Sequence, residues 1–248
     1  MTRFWALWQR EASSNFRTSI AYVVGVLFLL TTGFSFWMVS AHLAQGAVEG
    51  ELTSLLFGSP WFWLAMLIVT PLLTMRLFAE ERRSGTFEVL MSAPVTETEV
   101  VLAKFAGAFS TFLLLWIPTL AYVAILRRCG GQLPELDWGA VAAGYLGTAL
   151  IGAFFLAVGL LGSMLTRHQV VAAMVCLAAL GLLLTAGLLP FYVHSGPIQR
   201  FARVVSAPLH MADFAAGVVD SRTIVWYLGA AILLLFISIR ILEARRLR

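Results

Sequence analysis

Arg76-Leu-Phe-Ala-Glu80-Glu81-Arg82-Arg83-Ser-Gly85-Thr86-Phe87-Glu88-Val-Leu90-Met91-Ser-Ala-Pro94-Val-Thr96-Glu97-Thr-Glu99 joins two long apolar runs and carries its charges mainly toward its ends. Gly85 breaks the helix entering from the N-terminal side, because glycine weakens a helix interior by about 1 kcal/mol relative to alanine. Phe87, Leu90 and Met91 then fall at i, i+3 and i+4, which gives the segment 86–92 one apolar face. Pro94 stops that segment, and Thr96 followed by Glu99 is the capping box of a new helix. The stretch therefore reads as helix, break, short amphipathic helix, break, helix. An apolar face on a charged connection needs cover. A groove on a soluble subunit and the surface of a lipid bilayer are both suitable covers, and the residues alone leave the two open.

On either side the chain is too apolar for water. It is 60% hydrophobic and 12% charged, against about 45–50% and about 25% in soluble domains. Ionisable residues are costly at a bilayer centre, so the gaps between them mark six spans. These are expected at about 19–40, 60–77, from near 100 to 127, 139–165, 170–189 and 223–239. Each is long enough to cross about 30 Å of hydrocarbon as a helix, the sixth being the shortest. A membrane barrel would need short alternating segments, which are absent. Placing both termini in the cytoplasm puts twelve of the 17 Lys and Arg residues on that side and five on the other, as the positive-inside rule requires. The net charge of +4 is explained by these loops, so no nucleic-acid partner is expected.

Residues 1–18 read as an amphipathic elbow helix at the membrane surface. Arg3, Arg10 and Arg17 stack on one face, and Phe4, Trp5, Trp8, Ala12 and Phe16 lie on the other. The stretch is too polar at its start, and its first apolar run too long, for a cleavable signal peptide. Residues 190–222 form an outer segment. Pro197 and Pro208 each start a short helix there, the second over about 209–218, and Asp220 caps the last span. Pro71 and Pro118 fall inside spans and kink them. Small-residue pairs such as Ala21/Gly25, Gly144/Thr148 and Gly159/Ser163 permit close helix contact.

The run from Glu80 to Val95, followed by Glu99-Val-Val-Leu-Ala-Lys104-Phe, resembles the cytoplasmic signature of ABC transporter permeases of the type 2 class. Within that class the chain is most similar to the small permeases of the gliding-motility type. Ser206-Ala-Pro208-Leu-His210-Met-Ala-Asp213-Phe-Ala-Ala-Gly217-Val-Val-Asp220-Ser-Arg222 is a second likeness. It departs from the subgroup by the extra Ala207 and by Ala216 where a basic residue is usual. The resemblance implies an all-α integral membrane permease of six transmembrane helices, a single domain over 1–248 with both termini inside. It implies a cytoplasmic coupling loop at 80–98, in which Glu80, Glu81, Arg82 and Arg83 end span two. Gly85, Thr86, Phe87, Glu88, Leu90 and Met91 then face an ATPase subunit, and Pro94 ends the coupling helix. Pro208, His210, Asp213, Gly217 and Asp220 would shape the outer segment, as a gate or as a docking site for an extracytoplasmic accessory protein. The implied assembly holds a second permease chain and two ATPase subunits in a bacterial inner membrane. The implied function is ATP-driven export, and the alternative is a scaffold passing ATPase motion to an outer partner.

No Gly-x-x-x-x-Gly-Lys-[Ser/Thr] occurs, so ATP and magnesium are expected on the partner and no cofactor on this chain. His42, His168, His194 and His210 lack ligand spacing, Cys129 and Cys176 form no framework, and no nucleophile group can be assembled. Neither a metal site nor an enzymatic activity is expected. With no ionisable residue at a span centre, the energy for any transport has to come from outside the membrane.

Overall fold

The computed structural model describes residues 2–44, 52–85, 96–129, 137–192 and 196–246. The elements are all helical: α1 (Thr2–Arg17), α2 (Ser19–Ala44), α3 (Leu52–Phe57), α4 (Pro60–Thr74), α5 (Ala79–Ser84), α6 (Glu97–Trp116), a 3-10 turn (Ile117–Thr119), α7 (Leu120–Cys129), α8 (Trp138–Leu165), α9 (Gln169–Tyr192), α10 (Pro197–Val205), α11 (Ala207–Ala215) and α12 (Ser221–Arg246). Among the described residues six stretches are long and apolar enough to cross a bilayer: Ala21–Leu43, Pro60–Arg83, Glu97–Ile125, Trp138–Leu165, Gln169–Pro190 and Ser221–Ala244. They match the expected spans in number and order. The sixth is longer than the gap between charges suggests. Its end carries Arg240 over the Phe236 ring and paired with Glu243 at 2.8 Å, so a long cation closes an apolar helix without interrupting it.

The spans are not equivalent. The second, third and fourth are 61%, 50% and 72% buried inside the protein, and the first, fifth and sixth only 22–28%. The hub is α8, which packs against α3, α4, α6, α9, α11 and α12. Lipid supplies little hydrophobic drive between helices, so close van der Waals fit must hold them. Glycines on α8 provide that fit. Gly144 receives the Phe57 ring of α3, Gly147 the Phe214 ring of α11, Gly152 the Phe112 ring of α6, and Gly159 the Thr74 side chain of α4. The expectation that α8 uses small residues for close contact holds, with a difference. The glycines act as sockets for incoming side chains, three of them aromatic.

Spans two and three are interrupted, and α8 supports both interruptions. The helix α4 runs unbroken through Pro71 to Thr74, so the expected kink there is not what interrupts span two. In span two the helix breaks at residues 75–78, earlier than the Gly85 break read from the sequence. Ser163 of α8 explains this. Its hydroxyl accepts from the backbone N–H groups of Phe78 (3.1 Å) and Ala79 (3.2 Å) and donates to the Met75 carbonyl at 3.2 Å. A tertiary hydroxyl thus replaces intrahelical partners that hydrocarbon cannot supply. In span three Pro118 sits in the 3-10 turn. There Thr119 Oγ1 donates to the Trp116 carbonyl at 2.6 Å and the Tyr145 hydroxyl lies 2.7 Å from Thr119 Oγ1. With the threonine proton already committed, the tyrosine donates.

The outer segment forms two short helices, with corrected bounds for the second. Ser206 rather than Pro208 starts α11, accepting from Leu209 N–H at 3.3 Å while donating to the Gly187 carbonyl at 2.6 Å. Pro208 fits inside the first turn, where its missing N–H costs nothing. The helix ends at Ala215, short of the expected Val218, because Gly217 adopts φ 76°. Val218 and Gly217 N–H groups then bond the Asp213 and Phe214 carbonyls, which is a Schellman closure. Thr53 Oγ1 of α3 donates to the Ala215 carbonyl at 2.6 Å and ties this cap to the loop side of span two.

Candidate functional site

The site starts where span two ends and span three begins. The capping box read at Thr96 is present: Glu99 N–H bonds Thr96 Oγ1 at 3.3 Å and Thr96 N–H bonds Glu99 Oε2 at 3.0 Å. This launches α6 at Glu97 and sets Lys104 two turns in. There Lys104 is 2% exposed. Its ammonium lies 2.7 Å from Glu81 Oε1 of α5 and 3.1 Å from Glu11 Oε1 of α1, and 5.3 Å from the Phe78 ring centre. Arg10 adds a longer contact to Glu81 at 3.9 Å. Gly107, one turn on, lets α1 close in: a Cβ there would stand 2.9 Å from Glu11 Cβ. One buried cation therefore joins three segments that the sequence keeps far apart.

The expected site residues divide at Gly85. Glu80 takes a bidentate pair from Arg76 at 2.7 Å. Arg82 donates to the Met164 carbonyl at 2.7 Å, so a cation sits at the C-terminus of α8, where the helix dipole favours it. Arg83 is exposed, and Gly85 ends α5 in the left-handed conformation at φ 73°. Thr86, Phe87, Glu88, Leu90, Met91 and Pro94 lie outside the described residues.

Around the junction residues Thr2–Arg17 form a helix, and that helix packs along α6. Glu11 and Ala12 are its closest approach, while Trp5 stays exposed with its ring 4.6 Å from Trp8. The side chains of Arg3, Phe16 and Arg17 lie outside the described residues. Sequence reading missed Glu11, the hydrogen bonds of Ser163 to span two and the partners of Lys104. The signal was available for Lys104: a cation seven residues inside an apolar helix requires compensation.

At the opposite end of the bundle, His210 Nδ1 is 3.1 Å from the Tyr227 hydroxyl, and burial holds the imidazole below its ordinary range. Asp213 and Asp220 are exposed. Asp220 Oδ1 accepts from Arg222 N–H at 2.9 Å, the cap expected for the last span. Pro208 and Gly217 shape α11. These five residues share one cap but do not converge on a common point. Among the described residues no cluster of His, Cys, Asp or Glu could hold a metal ion.

Six long apolar helices, four of them packed on a glycine-socketed fifth, define a multi-pass membrane protein of the all-α kind. Residues 40–241 match the family described as ABC-2 family transporter protein, a stretch running from the end of α2 through most of α12. The chain belongs to that family, and it is a membrane permease of a class that works with an ATP-hydrolysing partner. No curated protein matches it.

Proposed function

We propose that the chain is the transmembrane half of an ATP-driven exporter, resembling the gliding-motility-type permeases, in a bacterial inner membrane with both termini in the cytoplasm. A second permease chain and two ATPase subunits complete it, and an extracytoplasmic accessory protein docks on the 190–222 segment. In this reading the ATPase grips the segment Thr86–Ser92, and Gly85 and Pro94 bound the grip. The observation that carries it is the Lys104 bridge to Glu81 and Glu11. A pull on the connection between α5 and α6 is shared at once with the elbow and, through Arg82 and Ser163, with α8. Such a junction moves as a rigid unit, which suits switching between two packed arrangements.

The test is reconstitution with the ATPase that co-purifies with the chain. Gly85→Val forces a branched side chain into φ 73°, a strain of roughly 1–3 kcal/mol, and Glu88→Ala removes charge from the grip. Both are expected to reach the membrane normally while lowering permease-stimulated ATP hydrolysis. Full stimulation in both variants would refute the coupling role. Stimulated hydrolysis with no substrate moved into or out of vesicles would favour the scaffold instead.

A further inference from the structure

Around the proline break of span three a groove lies between spans three and four. Its volume is about 500 Å³, within the range of roughly 300–1,000 Å³ typical of small-molecule sites. Leu113, Trp116 and Leu120 form one wall at i, i+3 and i+7, and Val141, Ala142 and Tyr145 form the other. The groove lies at the end of the bundle away from α1. At its rim stand Trp138, the first residue of α8, and Arg127, two residues beyond the apolar stretch that ends at Ile125. The Arg127 guanidinium lies 5.5 Å from the Trp138 ring centre. Among the described residues Arg127 makes no ion pair.

We propose that this groove holds one anionic glycerophospholipid, with an acyl chain between the two walls and the phosphate at Arg127. Charge and depth select this occupant. The walls are apolar at hydrocarbon depth, and the rim places a cation and an indole at headgroup level, where tryptophan is favoured. A second copy of the chain is the weaker match. Helix seams in lipid favour small residues that let backbones approach, whereas Leu113, Leu120 and Trp138 stand exposed here. A bilayer lipid reaches the groove sideways. The assignment rests on membrane placement alone and is independent of ATPase coupling.

Native mass spectrometry of the delipidated protein, titrated with dioleoyl phosphatidylglycerol or dioleoyl phosphatidylcholine, tests it. The wild type is expected to retain one phosphatidylglycerol at about fivefold lower lipid concentration than phosphatidylcholine, the effect of ~1 kcal/mol per basic residue facing an anionic headgroup. Arg127→Gln should bring the two lipids to parity. Ala142→Phe, on the exposed groove wall, should abolish retention of both without lowering the thermal midpoint. Equal retention of the two lipids by the wild type, or unchanged retention by Ala142→Phe, would overturn the proposal. So would a disulfide-linked dimer formed through Ala142→Cys in native membranes, which would give the groove to a second copy.

Discussion

Lys104→Met keeps the length of the side chain and removes its charge, leaving Glu11 and Glu81 facing one another. Their side chains are 15% and 14% exposed, against 3% for Lys104. Removing one partner of a buried ion pair costs about 3–5 kcal/mol, because the remaining charge is stranded. The lower end applies here, since both carboxylates keep some exposure and Arg10, 3.9 Å from Glu81 and 61% exposed, can move closer. At ~2–4 °C per kcal/mol for a chain of this size, the thermal midpoint in detergent should fall by roughly 6–12 °C. Hydrogen exchange should locate the loss: amides of α1 should exchange roughly a hundredfold faster, the equivalent of ~3 kcal/mol, while the centre of α8 stays protected. The triple variant Lys104→Met, Glu11→Gln, Glu81→Gln removes the stranded charges and should recover most of the midpoint. A midpoint within about 2 °C of wild type for Lys104→Met, or a triple variant no better than the single one, would show that the cation does not hold the three segments together.

Two further outcomes follow from the hub. Ser163→Ala strands the Phe78 and Ala79 N–H groups in a water-free kink, at about 1–3 kcal/mol for a buried group left unpaired, and should lower the midpoint by several degrees. A wild-type midpoint would mean the kink satisfies itself. Gly152→Ala places a methyl against the Phe112 ring, an overpacking cost of about 1–3 kcal/mol. Gly181→Ala, with nothing within 4 Å, should be neutral or slightly stabilising. Equal effects at the two positions would contradict the socket description.

Elements governed by local chemistry were legible in the residues. The capping box at Thr96, the cap at Asp220 and the helix over residues 2–17 involve partners within a few positions of one another. The ends of the outer helix were misjudged because Ser206 was passed over as a cap and Gly217 as a left-handed stop, although both signals are local. The elbow's packing on span three was hidden for a different reason: an aromatic face and an arginine face describe a surface helix well, and nothing in that pattern gives weight to Glu11.

What the sequence determined alone is the number of crossings, their order and the caps that open the third and the last. Hydropathy is a property of the chain taken one residue after another, and a helix satisfies its backbone within a single segment. Only the tertiary structure decided which side chains enter the glycines of α8, that Ser163 completes the kink of span two, and that Lys104 is answered by Glu81 and by Glu11, 23 and 93 residues away in the chain. Those pairings depend on the rotation and depth at which helices meet. In lipid that is settled by close packing and by the cost of an unpaired charge, neither of which a one-dimensional pattern records.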